Sequence, residues 1–518
     1  MTVNILNADS SAQWVANTAG DTYVLKEGVY LGVLGTAISG TAAVTNRKFQ
    51  IDGHVIGEGG GSGMFIGFDA TSGGFTTIHV AATGSILGEA YGIWSQGGGL
   101  ELVNKGDISG STAGLAMTGG LNHVINAGTI SSWNGAGLIS SGIGADIVNL
   151  GTISGVTNGL ELNGNSFHFL NSGLVTSSTA VLTEAAVYMT GHFGAFVNEG
   201  TVSSLNSYSM LGDGNAQNVT NRGYIFASAD LGAGNDVFTN EGGTVHGGIY
   251  LGAGFDVFES TGGTITDKVY GGEHGDFYII DDASIELVEF YGEGSDGVRS
   301  SVNYWLENNF ENLSLSGKAD LVGGGNSLAN SLVGNAGDNK LFGLGGDDEF
   351  GWSEGNDRLD GGGGSDLVRY DSNVTSGVKV NLATGKGGGA AAGQTFVSIE
   401  NVFGSEFNDQ IIGNGVADRL DGYVGNDLLR GGGGKDVFVF VDSWGKDTIA
   451  DFQDKSDRIE LGYDVNGFKA ESFADIKGLI SQNGNDVVID FSSIYAGDTL
   501  ILRNMDVSDL SAADFLFV

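Results

Sequence analysis

The chain has 518 residues with 93 Gly, no Pro and no Cys, and 62 acidic against 22 basic residues give it a formal net charge of −40. Such a charge excludes a general nucleic-acid role and disfavours an anionic membrane surface, because like charges repel. The lack of Cys excludes a disulfide scaffold, and the lack of Pro suits stacked in-register strands, since each proline would remove a ladder donor.

In chain order, the opening MTVNILNADSSAQWVANTAG has neither the basic start nor the apolar run of a secretory signal peptide. TYVLKEG, VYLGVL and KFQIDGHVIG are strand-like, so residues 1–57 are expected to form a β-rich cap or attachment region. No stretch is long and apolar enough for a transmembrane helix, because Gly, Ser, Thr or Asn interrupts every charge-free run.

Residues 58–300 carry a repeat written VNKGDIS, INAGTIS, VNLGTIS, LNSGLVT, VNEGTVS and TNRGYIF, which places Asn104, Asn126, Asn149, Asn171, Asn198 and Asn221 22 or 23 residues apart with one longer step. A coil of that length with one Asn at a fixed turn predicts a right-handed parallel β-helix with the amides stacked along its axis. Towards the end of this region LGAGNDVF and LGAGFDVF add Gly-rich turns, and Asp236, Asp256, Asp276 and Asp296 fall twenty apart. Gly232, Gly234, Gly252 and Gly254 supply those turns, Asp146 and Asp213 look like degenerate members of the same column, and one axis is expected to run through both repeats.

Residues 301–440 shift to a nine-residue beat. Asn339, Asp348, Asp357 and Asp366 are each followed two residues later by an apolar side chain (Leu341, Phe350, Leu359, Val368), and Asp409, Asp418, Asp427 and Asp436 by Ile411, Leu420, Leu429 and Phe438. A Gly-rich turn accepts positive φ, and with an Asp beside its carbonyls it forms an oxygen cage suited to Ca²⁺. Gly362, Gly364, Gly432 and Gly434 are the clearest turn glycines. Two nonapeptides make one coil, so Asp427 should stack over Asp409 and Asp436 over Asp418, about 4.8 Å apart. A divalent cation between coils would turn their repulsion into attraction.

These repeats, most closely in FGSEFNDQIIGN, VADRLDGYVGNDLLRGGGGKDVFVF and GNAGDNKLFG, resemble the RTX, or hemolysin-type, calcium-binding parallel β-roll. The resemblance implies calcium as the cofactor. Asn339 in an Asp position and Leu344 in a Gly position imply weaker binding there. Residues 371–403 look like the strand-rich insert common in that family. The stretch 441–518 is expected to be a small β-rich region with one amphipathic helix at FADIKGLISQ, and it resembles the C-terminal region of serralysin-type proteins. Asp514 followed by Phe515, Leu516, Phe517 and Val518 resembles their uncleaved secretion signal. Type I secretion machinery is the implied partner and the extracellular space or cell surface of a Gram-negative bacterium the implied location. The fold class is all-β, a parallel β-helix continuing into a calcium-binding β-roll.

The acids concentrate where the repeats do: 15 acids and 5 bases lie in 1–230, against 47 and 17 in 231–518. Without calcium the second part should repel itself, so folding would wait for a calcium-rich exterior. Catalytic motifs are missing. No HExxH joins His54, His79, His123, His168, His192, His246 and His274, there is no G-x-S-x-G elbow, and a Pro-containing epimerase motif cannot exist without Pro. Between Ile108 and Asn198 there is no Lys or Arg, and only Asp146, Glu161 and Glu184 are acidic. A flat solenoid face so poor in charge invites packing against a second copy or a surface polysaccharide. The reading is a calcium-dependent extracellular structural protein, of surface-layer, biofilm-matrix or adhesin type, that self-assembles; the competing reading is a polysaccharide-binding or polysaccharide-modifying (lyase- or epimerase-like) β-helix protein.

Overall fold

The computed structural model describes residues 2–518 apart from 17, 41–45, 68–73, 179–180, 182, 193, 371–372, 442–443, 463, 466–467 and 493–497. The chain is all-β and divides into two units, Met1–Gly294 and Ser295–Val518. Among the described residues no helix is long and apolar enough to cross a membrane.

In the first unit each coil contributes strands to three parallel faces. One face runs Leu100–Asn104, His123–Asn126, Asp146–Asn149, His168–Asn171, Gly194–Asn198, Gln217–Asn221 and Val237–Glu241, paired in register. The second is an 11-stranded sheet that begins at Tyr30–Leu34 and ends at Thr264–Ile265, and the third is a 13-stranded sheet from Trp14–Val15 to Leu287–Val288. Strand alternation sends Ile108, Ile130, Ile153, Val175 and Val202 inward at one register position, where each is fully buried and stabilises the coil by about 1.5–3 kcal/mol. The opening 57 residues join the same faces: Val3–Leu6 pairs with Thr22–Leu25, Thr22–Leu25 with Arg47–Ile51, and Tyr30–Leu34 with His54–Glu58.

The expected amide ladder is present. The Nδ2 of Asn104, Asn126, Asn149, Asn171, Asn198 and Asn221 donates to the Oδ1 of the next Asn, ending on Asn240, at 2.8–2.9 Å. All seven side chains are fully buried. An amide carries a donor on one side and an acceptor on the other, so it can bond a copy of itself above and below.

The coil of the second unit is 18 residues with two parallel faces. Leu341 lies over Leu359 on one face, and on the other Leu332, Phe350 and Val368 line up and the column resumes as Val402, Leu420 and Phe438. The apolar side chains expected to fill this core are 0–2% exposed. The insert adds a hairpin to one face only. Val378–Asn381 and Lys386–Gly389 pair antiparallel, Val378–Asn381 pairs with Gln410–Ile412, and Thr395–Val397 pairs with Arg358–Gly363. The other face continues unbroken from Leu367–Arg369 to Asn401–Ser405.

The helix expected at FADIKGLISQ is shorter than its pattern. Phe473–Ile476 is helical, Lys477–Leu479 is a 3-10 turn, and Ile480–Asn483 is a strand paired with Asp486–Asp490. Gly478 costs a helix about 1 kcal/mol, and Gly484 at φ 63° opens a two-residue Gly484–Asn485 hairpin loop that gives Ile480–Asn483 a sheet partner instead. The last strand, Phe515–Phe517, pairs in parallel with Arg458–Leu461.

Replacing Asn149 by Ala removes two ladder bonds, from Asn126 Nδ2 and to Asn171 Oδ1, and leaves those atoms only their longer backbone partners. The expected loss is about 3 kcal/mol, read as faster amide exchange in the neighbouring coils at fixed calcium; exchange indistinguishable from wild type would show that the ladder is not stabilising.

Candidate metal centre

The aspartates of both repeats stack, and they do so through the backbone. In the first unit Asp236 Oδ1 accepts the Gln217 N–H (2.5 Å), Asp256 Oδ1 the Asp236 N–H (2.7 Å) and Asp276 Oδ1 the Asp256 N–H (2.8 Å). In the second unit Asp348 accepts from Asn330, Asp366 from Asp348, Asp427 from Asp409 and Asp436 from Asp418, at 2.8–3.0 Å except 2.7 Å for Asp427. The stacking of Asp427 on Asp409 and Asp436 on Asp418 expected from the spacing is therefore present. The carboxylates do not face one another directly; each leans back to cap an N–H one coil earlier. Asp296 lies in the second unit, 1% exposed, with its N–H donating to Glu311 Oε2 at 2.8 Å.

One oxygen of each carboxylate is thus used, and the other decides whether a cation fits. The Oδ2 of Asp236, Asp256, Asp348, Asp366, Asp427 and Asp436 is buried without a hydrogen-bond partner among the described residues, as is Oδ1 of Asp418. In the roll the unpartnered Oδ2 of Asp348, Asp366, Asp427 and Asp436 lies against a glycine five residues earlier. A Cβ on Gly343 would sit 2.1 Å from Asp348 Oδ2 and 2.5 Å from the Gly361 carbonyl, and one on Gly361 would sit 2.2 Å from Asp366 Oδ2 and 2.1 Å from the Ser398 carbonyl. A carboxylate and a carbonyl oxygen so converge over a bare Cα, a hard-oxygen donor set that suits Ca²⁺. Bound there, a divalent cation supplies the positive charge that the buried carboxylates need to stay ionised.

The glycines picked from the spacing build the turn. Gly232, Gly234, Gly252, Gly254, Gly362, Gly364, Gly432 and Gly434 all sit at φ between 90° and 155°. A Cβ on Gly252 would lie 1.6 Å from the carbonyl oxygen of Gly232, one coil back. Leu344 (φ 77°) and Tyr423 (φ 63°) hold equivalent positions at a cost of about 1–2 kcal/mol each. The carbonyls beside the carboxylates belong to Gly361 and Ser398, which the turn pattern did not single out.

Other positions are closed by hydrogen bonds. Asp357 accepts the Asn339 N–H (2.9 Å) and the Ser353 hydroxyl (2.9 Å), and Asp409 accepts the Val378 N–H (2.8 Å) and the Ser405 N–H and hydroxyl (2.6 and 2.7 Å). Both flank the insert, and both have Ser four residues earlier where other turns have Gly, Asn, Leu or Tyr. Asn339 is likewise self-contained, its Oδ1 accepting the Asn335 N–H and its Nδ2 donating to Asn335 Oδ1.

Two expected column members fall elsewhere. Asp146 is one residue out of phase, which turns it to the outer face, where its two oxygens bond His123 and His168 Nδ1 at 3.0 Å. Asp213 accepts the N–H of Asn215 within its own turn. Asp447 was missed by the nine-residue beat because it lies twenty residues after Asp427. Its buried Oδ2 has no hydrogen-bond partner among the described residues, while its Oδ1 takes the Asp427 N–H at 2.8 Å. Its signal is WGKDTI, which repeats the Gly-x-Asp-x-apolar order of the array.

Burial pushes these carboxyls up: Asp256 to about 6, Asp348, Asp418 and Asp427 to about 7, Asp236 to about 8 and Asp447 to about 9.

A family model for the RTX calcium-binding nonapeptide repeat matches four copies, at 324–350, 353–372 and 403–438. The chain carries calcium-binding repeats, of a kind typical of proteins secreted by the type I route. No curated protein matches the sequence. Among solved structures, the extracellular lipase LipA from Serratia marcescens is similar at 17% identity over 43% of this chain and 45% of that one, with a TM-score of 0.19; the match spans less than half of that lipase.

Two outcomes follow from this geometry. Carboxyls whose folded pKa lies above the unfolded 3.8 bind protons on folding, so the stability they contribute in chelator is complete below about pH 4 and is lost as pH rises through 6 to 9. The melting temperature in chelator should therefore fall from pH 5 to pH 9, and calcium should flatten the profile; a chelated protein that gains stability across that range contradicts it. Asp427→Asn should raise the calcium concentration needed for folding several-fold, and Asp357→Asn much less, by circular dichroism titration; equal shifts would mean that the hydrogen bond from Ser353 does not matter.

Proposed function

We propose that the protein is a calcium-folded, secreted structural component of a cell surface, matrix or adhesive layer, and that its first unit packs against a second copy of itself. The proposed calcium ligands are the columns of Asp236, Asp256, Asp276, Asp296, Asp348, Asp357, Asp366, Asp409, Asp418, Asp427 and Asp436, with the strongest sites where a buried carboxylate oxygen lacks a hydrogen bond and the weakest at Asp357 and Asp409.

The observation that carries the assembly reading is the outer surface between Ile108 and Asn198. On the 11-stranded face Ser109, Ser131, Ser154, Thr176 and Ser203 share one outward register position, and Thr129, Thr152, Leu174 and Thr201 another. Large apolar side chains stand in solvent on the same coils: Leu121, Trp133, Ile143 and Leu150 are each at least 50% exposed. Few charges oppose the approach of a like surface, and exposed apolar groups favour it. Calcium would act twice, folding the acidic repeats and screening repulsion between molecules. The type I secretion signal is proposed at Asp514–Val518, read before the chain folds. In the fold Asp514 is buried and accepts from the Ser511 N–H and hydroxyl.

Light scattering in millimolar calcium tests the proposal. Wild type should form large species that dissolve in chelator, and Ser131→Lys with Ser154→Lys should remain monomeric and folded. Ser132 is unsuitable for such a change, since its hydroxyl donates to the Ser111 carbonyl and accepts the Gly135 N–H. A calcium-loaded wild type that stays monomeric at high concentration would overturn the assembly reading.

A further inference from the structure

The second unit carries a cleft that the calcium turns do not use. Leu367–Arg369, Asn401–Ser405, Arg419–Tyr423 and Val437–Phe440 lie side by side, and their registers put Arg369, Phe403, Asp421 and Val439 in one row across the outer face. Three strand spacings make that row about 14 Å long. Two adjoining hollows of about 500 and 220 Å³ open along it and share Phe403, Asp421 and Val441, a size that suits a small ligand.

The chemistry of the walls narrows the ligand. Both arginines are neutralised in place, Arg369 by Glu349 (2.9 Å) and Arg419 by a bidentate pair with Glu460 (2.6 and 2.8 Å). The Arg369 guanidinium also covers Phe403, 4.4 Å from the ring centre. Asp421 accepts the Tyr423 N–H on Oδ1 at 2.8 Å, and its other oxygen has no hydrogen bond among the described residues. The smaller hollow is walled by Phe403, Tyr423, Val424, Phe440, Val441 and Trp444. Trp444 is 2% exposed, and its Nε1–H has no hydrogen-bond partner among the described residues.

An anionic ligand would have to compete with Glu349 and Glu460 for the arginines, beside Asp421 and Asp347. A wholly apolar ligand would leave the second oxygen of Asp421 unpaired. A pyranose ring answers both requirements: C–H faces for the aromatic walls, and hydroxyls that donate to the carboxylate and accept from the guanidinium groups. We propose that this cleft on the second unit binds a neutral oligosaccharide, with the aromatic hollow taking one ring and the Arg369–Asp421 row extending along the chain. The proposal needs calcium folding but not self-association, so the monomeric Ser131→Lys, Ser154→Lys form would bind equally well and the two readings fail separately.

The test uses the full chain in millimolar calcium with maltotetraose, cellotetraose, laminaritetraose and mannotetraose as neutral probes and tetragalacturonate as the anionic one, followed by calorimetry and tryptophan fluorescence. At least one neutral probe should bind with one site per chain and change the fluorescence. Val441→Trp, which fills the hollow, should weaken it about tenfold or more. Asp421→Asn, a near-isosteric change that guards against a misfolded Val441 variant, should weaken it about fivefold at an unchanged melting temperature. The proposal is overturned if no neutral probe binds at about 10 mM, if tetragalacturonate binds more tightly than every neutral probe, or if binding is indifferent to the folded variants.

Discussion

Every coil lays the same atom of its chain over the same atom of the coil before, about 4.8 Å away, and most of the structure is a consequence. A polar group buried in one coil is buried in its neighbours too, so it must be satisfied by a copy of itself, by the backbone or by something from outside. Asn meets the condition alone, because its amide is both donor and acceptor. The column from Asn104 to Asn240 needs no ligand.

Asp does not meet it. Both carboxylate oxygens accept, and the stacked backbone offers each only one N–H. One oxygen is capped by the coil before it, and the other is left in a pocket where a glycine has no side chain. Burial there raises the carboxyl, so the fold is favourable either with the proton on or with a divalent cation in place. Carboxyls pushed to about 7 to 9 keep much of their proton at neutral pH, and a divalent cation is the alternative that would let the stack ionise. The amide column and the carboxylate columns are thus two answers to one constraint, the first complete in itself and the second leaving an oxygen that a proton or a cation can take.

The same constraint explains why the columns are interrupted where they are. The hairpin between Val378 and Gly389 displaces one face of the roll, so coil-to-coil copies are lost around it. At both borders a Ser adds, from within the turn, a donor to a carboxylate that elsewhere keeps an oxygen without a hydrogen bond, Ser353 for Asp357 and Ser405 for Asp409. The unbroken opposite face brings Arg369 next to Phe403 and Asp421, so the insert also places a row of outward side chains that no repeat would generate.

The sequence by itself determined what is periodic. The 22- and 23-residue Asn spacing meant a parallel β-helix coil, the nine-residue beat meant an 18-residue roll, and the apolar residue two places after each Asp meant a filled core, because stacking forces equal intervals onto equal places. Tertiary structure alone decided what depends on phase or on breaks in the period. A shift of one residue turned Asp146 outward to meet two histidines, and the hidden Ser353 and Ser405 hydroxyls closed sites that had the right Asp. A twenty-residue step concealed Asp447, and a hairpin partner converted the end of an amphipathic pattern into the strand Ile480–Asn483. Spacing reports which residues repeat, but whether a buried oxygen already has a donor depends on side chains from elsewhere in the coil, and that is settled only when the coils are stacked.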